Sequence, residues 1–123
     1  MTRLERSYVH GAATTPLIGD TIGAHLDRVA ALSPDADALV VRQQGIRWTY
    51  RQFRDEANKV AAGLIALGLK PGDRIGIWSQ NNAEWVLTQF ATAKAGLILV
   101  NINPAYRTHE LTYVVEQCTM RGL

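Results

Sequence analysis

Apolar residues recur along this chain with two different periods, and the switches between them divide it into helices and strands. Ile22, Leu26, Val29 and Ala30 sit at helical spacing. They predict a helix capped by Asp20 or Thr21 and running to about Leu32, where Ser33-Pro34-Asp35 breaks it. Ala38 to Val41 reads as a short strand, Gln43-Gln44-Gly45 as a turn, and Ile46 to Trp48 as the returning strand of a hairpin. Thr49 and Gln52 then form a capping box, with Trp48 and Phe53 flanking it as a hydrophobic staple. Behind it Phe53, Ala57, Val60, Ala61, Leu64 and Leu67 make one apolar stripe, and Gly68 falls where a left-handed residue would end the helix.

After the turn Lys70 to Asp73, Arg74 to Trp78 reads as a strand. Asn81 is the expected cap of the next helix, with Glu84 three residues on, and that helix should stop at Gly96. Leu97 to Val100 is an unbroken apolar run, as expected of a strand covered on both faces. Strand, helix and strand make a βαβ unit with parallel strands and a right-handed crossover. Thr108 is expected to cap a last helix with Leu111, Val114, Val115 and Cys118 on one face. The strand that should receive this helix is missing from the pattern, because Met120 to Leu123 is too short to supply it. The fold class is therefore α/β with an incomplete sheet. Residues 1–19 read as a loose arm, and residues 20–123 as part of one larger domain.

Composition narrows the function. At 47% hydrophobic and 20% charged residues the chain is an ordinary folded domain. Its 13 basic and 11 acidic side chains are scattered, which argues against nucleic acid as a partner. Cys118 is the only cysteine, so a disulfide scaffold within one chain and a thiolate zinc site are both excluded, and a reducing, cytoplasmic setting is expected. The arm through Thr15 lacks the apolar core of a signal peptide. No stretch is apolar enough for a membrane span; residues 83–102 come nearest, interrupted by Glu84, Lys94 and Asn101.

Candidate chemistry is sparse. His10, His25 and His109 do not pair at metal-ligand spacing, and His25 and His109 read as solvated. Cys118 reads as a packed thiol rather than a nucleophile. The run Gly63 to Lys70 resembles a phosphate loop by spacing alone. Leu69 displaces the lysine, Pro71 stands where a hydroxyl residue is needed, and the segment ends a helix instead of opening one. Asp55 and Glu56 are adjacent and point apart on their helix, while Asp35 and Asp37 fall in a loop. Trp78 and Trp85 flank the strand-to-helix loop Ser79 to Glu84. Such loops bind ligands in α/β folds, although core packing explains both rings more readily.

Several segments, taken in order, resemble the adenylate-forming acyl-CoA synthetases. Trp48-Thr49-Tyr50-Arg51-Gln52-Phe53 is similar to the family's T-Y-x-E-L helix start, with Gln52 and Phe53 in place of glutamate and leucine. Gly68-Leu69-Lys70-Pro71-Gly72-Asp73-Arg74-Ile75 resembles its L-K-x-G-D-R-V turn and strand. Asn81-Asn82-Ala83-Glu84-Trp85 resembles its N-S-x-E-W/F segment, and Lys94-Ala95-Gly96 through Pro104 its K-A-G segment that ends in proline. Tyr106-Arg107, Glu110-Leu111 and Tyr113 continue as in fatty acyl-CoA synthetases. The likeness covers about residues 20–118.

The resemblance implies an N-terminal piece of the adenylate-forming fold. The parent is an enzyme several times longer that uses ATP, magnesium and coenzyme A to turn a fatty acid into its thioester through an acyl-adenylate. None of the family's phosphate-loop, adenine, ribose or C-terminal lysine motifs falls within this chain. No catalytic or metal-binding residue is therefore expected in it, nor binding of those cofactors by the chain alone. Asn103, Pro104 and Arg107, after the last strand, are the positions expected near substrate or coenzyme A. The remainder of a synthetase is the expected partner, and the separate chain should self-associate. An aryl-acid ligase, a peptide-synthetase adenylation domain and a non-catalytic module derived from such an enzyme remain as alternatives.

Overall fold

The computed structural model describes residues 11, 12 and 14–123. Most of the expected N-terminal arm, His10 included, lies outside the described residues. Helix α1 spans Ile22–Leu32, and the Thr21 hydroxyl caps it by accepting from the Ala24 amide at 3.2 Å. Strands β1 (Asp37–Val41) and β2 (Ile46–Thr49) form an antiparallel hairpin in which Val41 faces Ile46 and Leu39 faces Trp48. Asp37 belongs to this hairpin, not to a loop, and pairs with Arg47. A single 3-10 turn, Arg42–Gln44, joins the strands, and Gly45 closes it at φ +66°.

Helix α2 (Tyr50–Ala66) starts at the expected capping box: the Gln52 amide donates to the Thr49 hydroxyl and the Thr49 amide to the Gln52 side chain. It buries Phe53, Ala57 and Ala61, four residues apart on one face. Phe53 sits between the rings of Trp48, 6.4 Å away and stacked, and Phe90, 5.1 Å away and edge-on. Leu67 was expected on this stripe but is exposed, because it lies in the C-cap, where the chain turns away from the core. Gly68 then takes the left-handed conformation at φ +92°.

Strand β3 (Arg74–Ile77) and strand β4 (Ile98–Asn101) pair in parallel on either side of helix α3 (Ala83–Ala95), as the βαβ pattern predicts. Ile75 joins Ala61, Ala91, Ala95 and Leu97 in a core cluster on the α2–α3 side of this pair. Small residues there let α2 and α3 approach closely. Gly23 does the same for α1, since a Cβ at that position would lie 2.9 Å from Lys94 Cγ, whose ammonium pairs with Asp27.

Three further expectations change. Asn82, not Asn81, caps α3: its side-chain oxygen accepts from the Trp85 amide at 2.7 Å while its nitrogen donates to Ser79 Oγ at 3.0 Å. Helix α4 (Thr108–Gln117) has Arg107 at its N-cap and Thr108 already in its first turn. With no cap oxygen at position 107, Glu110 reaches back to accept from the Arg107 amide at 3.0 Å. Strand β4 is not covered on both faces, for Ile98 is 52% exposed.

The sheet is incomplete as expected, with β3 and β4 its only full strands among the described residues, but the last four residues are not idle. They do reach the sheet: Gly122 bridges Ile75 in parallel, the Gly76 amide donates to the Gly122 carbonyl at 2.9 Å, and the Arg121 amide donates to the Arg74 carbonyl at 2.8 Å. Since Ile75 also pairs with Leu99, the tail occupies the edge of β3 opposite β4. The Arg74 guanidinium locks the turn before it, donating to the Cys118 and Thr119 carbonyls. Met120 and Leu123 lie over Gly76, on the face away from α3. The chain thus leaves β3 on one face and comes back from β4 on the other, placing a topological switch point between these two strands. Leu111, Val114, Val115 and Cys118 of α4 remain only half-buried.

Candidate functional site at the ends of the parallel strands

At that switch point the carboxyl ends of β3 and β4 diverge and leave an open cleft of about 580 Å³. Ser79, Gln80, Asn81 and Trp85 form the wall that follows β3; Asn101, Ile102, Asn103 and Pro104 form the wall that follows β4. The Ser79 hydroxyl donates to the Gln80 carbonyl at 3.0 Å and accepts from Asn82, which holds the first wall against the start of α3. On the second wall Asn103 shapes its own turn: its side-chain oxygen accepts from the Ala105 amide and its carbonyl from the Tyr106 amide, both at 3.0 Å.

Of the three residues expected near substrate, the cleft brings together Asn103 and Pro104. Arg107 is exposed at the head of α4 and does not line it. Trp85 lines both the cleft and a second hollow beside α2 and α3, while Trp78, 42% exposed, lines the second alone. The strand-to-helix position of Ser79 to Glu84 was the available signal for the first wall, and Trp85, expected to pack, is half-buried there.

The lining is amide, hydroxyl, indole and proline. Among the described residues it contains no carboxylate, imidazole, amine or guanidinium, so these can orient a ligand but offer no proton-transfer group and no charge for a magnesium-bound triphosphate. Among the described residues no three His, Cys, Asp or Glu side chains come close enough to hold a metal. The nearest carboxylate in sequence, Glu84, is held below its ordinary pKa, first by the Gln44 side-chain amide and then by its own backbone amide. His25 belongs to a surface cluster elsewhere, with Asp20 at 3.2 Å and Arg28 at 2.9 Å. His25 first, and then Arg28, hold the Asp20 carboxyl below the usual range through hydrogen bonds to it.

A profile of the AMP-binding enzyme family matches residues 26–123. The chain belongs to the AMP-binding enzyme family. Mouse mitochondrial medium-chain acyl-CoA ligase ACSF2 is 44% identical over 95% of this chain, and its zebrafish counterpart 48% over 93%; the chain spans 19% of each. A putative acyl-CoA synthetase from Bacillus subtilis, YngI, is 45% identical over 87% of the chain and 20% of its own length. Among solved structures, a Mycobacterium tuberculosis fatty acyl CoA synthetase superposes with a TM-score of 0.79 at 31% identity, over 81% of this chain and 20% of that one. The N-terminal domain of FACL13 from the same organism gives 0.80 at 30% identity, over 83% and 26%. The chain thus spans about a fifth of the length of the curated relatives it matches. No described helix is long and apolar enough to cross a membrane.

Proposed function

We propose that these residues form the N-terminal part of the catalytic domain of an ATP-dependent acyl-CoA ligase acting on a medium-chain fatty acid. In that reaction a carboxylate oxygen attacks the α-phosphorus of ATP and pyrophosphate leaves. The thiolate of coenzyme A then attacks the acyl carbon and AMP leaves. The carrying observation is the family match over residues 26–123, joined to a cleft at the switch point of a parallel sheet. The uncharged lining suits the amide-bearing arm of coenzyme A or the acid itself, with Asn103 and Pro104 in contact and Arg107 near the mouth. Magnesium and the phosphates of ATP require residues other than these.

A chimera in which this chain replaces the matching fifth of ACSF2 tests the reading. It is expected to form octanoyl-CoA from octanoate, ATP and coenzyme A, with Asn103→Ala raising the KM for acid or coenzyme A. A soluble but inactive chimera would overturn the ligase reading, and a preference for anthranilate would move it to an aryl-acid ligase. ATP–pyrophosphate exchange by the chain alone would overturn the assignment of the chemistry to other residues. Apart from a partner, the chain is expected to self-associate through the free edge of β4 and the half-buried face of α4; a monodisperse monomer in sedimentation would refute that. Cys118, the only cysteine, suits a reducing compartment; the cytoplasm is the one proposed, and recovery of the protein from mitochondria would refute that.

A further inference from the structure

We propose that Gln44, in the turn of the β1–β2 hairpin, is a positioning residue for the cleft: it clamps the start of α3 and with it the wall formed by Ser79 to Trp85. Its side-chain oxygen accepts from the Ala83 amide and its nitrogen donates to a Glu84 carboxylate oxygen, each at 2.7 Å, across about forty residues of sequence. Ala83 is 0% exposed, so water cannot satisfy its N–H. This amide is among the donors that a helix start leaves without an intrahelical partner. Asn82 caps the neighbouring Trp85 amide and ties back to Ser79, so the two side chains together fix the first helical turn and the loop before it.

Only one orientation of the Gln44 amide works. Flipped, its NH2 would face the Ala83 N–H and its oxygen would face the Glu84 carboxylate. A glutamate at position 44 would set two carboxylates against each other, and their repulsion would drive its side chain off the Ala83 amide. The exchanged pair Gln44→Glu with Glu84→Gln would restore both bonds and leave the net charge unchanged.

The effect on turnover rests on the ligase reading above, whereas the clamp itself does not, and two arms keep the two apart. In the 123-residue chain, Gln44→Ala and Gln44→Glu are expected to speed amide exchange at Ala83 about tenfold. Both should also shift the Trp85 indole resonance, and the exchanged pair should return both signals to the original values. In the ACSF2 chimera, each single variant should raise the KM for acid or coenzyme A several-fold with kcat within about twofold, again reversed by the exchanged pair. Unchanged exchange at Ala83, or no rescue by the exchanged pair, overturns the clamp. A clamp that holds by exchange while KM stays constant in an active chimera overturns its positioning role. An inactive chimera with the exchange results intact removes the ligase reading and leaves the clamp standing.

Discussion

Replacing Gly76 by valine should free the C-terminal tail without unfolding the domain. A Cβ at Gly76 would lie 2.5 Å from Met120 Sδ, 2.8 Å from Leu123 Cδ1 and 2.9 Å from Ile102 Cδ1. Ile102 is buried and cannot withdraw, so the room must come from the tail. Overpacking of this kind costs about 1–3 kcal/mol. The tail's hold on β3 is of the same order: the Gly76–Gly122 and Arg121–Arg74 backbone bonds contribute about 0.5–1.5 kcal/mol each. The core cluster around Ala61, Ile75 and Ala91 does not touch this face. The tail therefore yields first. Native-state amide exchange measures this directly, because the Gly76 N–H donates to Gly122 only while the tail is docked. Its protection should fall by about 5–100-fold. Amides inside α2 and α3 should exchange at their original rates, and the urea midpoint should move little. If the Gly76 amide stayed protected, the tail would not be the partner. If the whole chain melted, the sheet would depend on it far more than these magnitudes allow.

Phe53→Ala removes the ring between Trp48 and Phe90 and should cost about 3–5 kcal/mol in urea unfolding. A double-mutant cycle with Phe90→Ala should return about 0.5–1.5 kcal/mol of coupling, and additive losses would refute the edge-on contact. Asn82→Ala should cost about 1 kcal/mol through loss of the α3 cap, with Asn81→Ala nearly silent; the reverse ranking would restore the cap read from sequence. Asp20, Glu84 and Glu110 all have folded pKa values depressed below ordinary values of 3.8, 4.5 and 4.5. Their stabilising contribution is therefore fully present above about pH 5 and is lost as pH falls through the folded values. Gln44→Ala should flatten the Glu84 share of that acid limb, and an unchanged Glu84 titration by NMR would refute the assignment.

Signals that act over a few residues were legible in the sequence. Thr49 with Gln52, Gly68 and Gly96 mark helix ends because capping and left-handed backbone depend on the nearest turn alone. Two adjacent asparagines defeated the same reasoning. Asn81 and Asn82 have equal cap propensity, and only the Ser79 hydroxyl, which Asn82 also binds, separates them. Burial was legible where both packing faces lie within the chain, as for Phe53 and Ala57. It failed at Ile98, whose exposure depends on what else stands beside β4. The tail failed for a different reason. Four residues are too few to show a strand period, yet Arg74 supplies guanidinium bonds that dock them from outside any local pattern.

The candidate site lies at the intersection of these two kinds of information. Asn103 and Pro104 could be picked out because a β-strand ended just before them and the resemblance pointed to a cleft there. The opposite wall was legible only as a strand-to-helix loop of the kind that binds ligands; that Ser79 to Trp85 faces Asn103 and Pro104 depends on the strand order. That order becomes visible only once the tail sits on one edge of β3 and β4 on the other. A chain that left both strands on the same face would have closed this end with a loop. Leaving them on opposite faces opens it, and the hairpin turn that carries Gln44 braces the opening from the side. The hairpin is remote from the cleft in sequence and belongs to a separate sheet, yet it is part of the cleft's construction. Any exchange of hairpin residues between relatives therefore has to be read together with position 84.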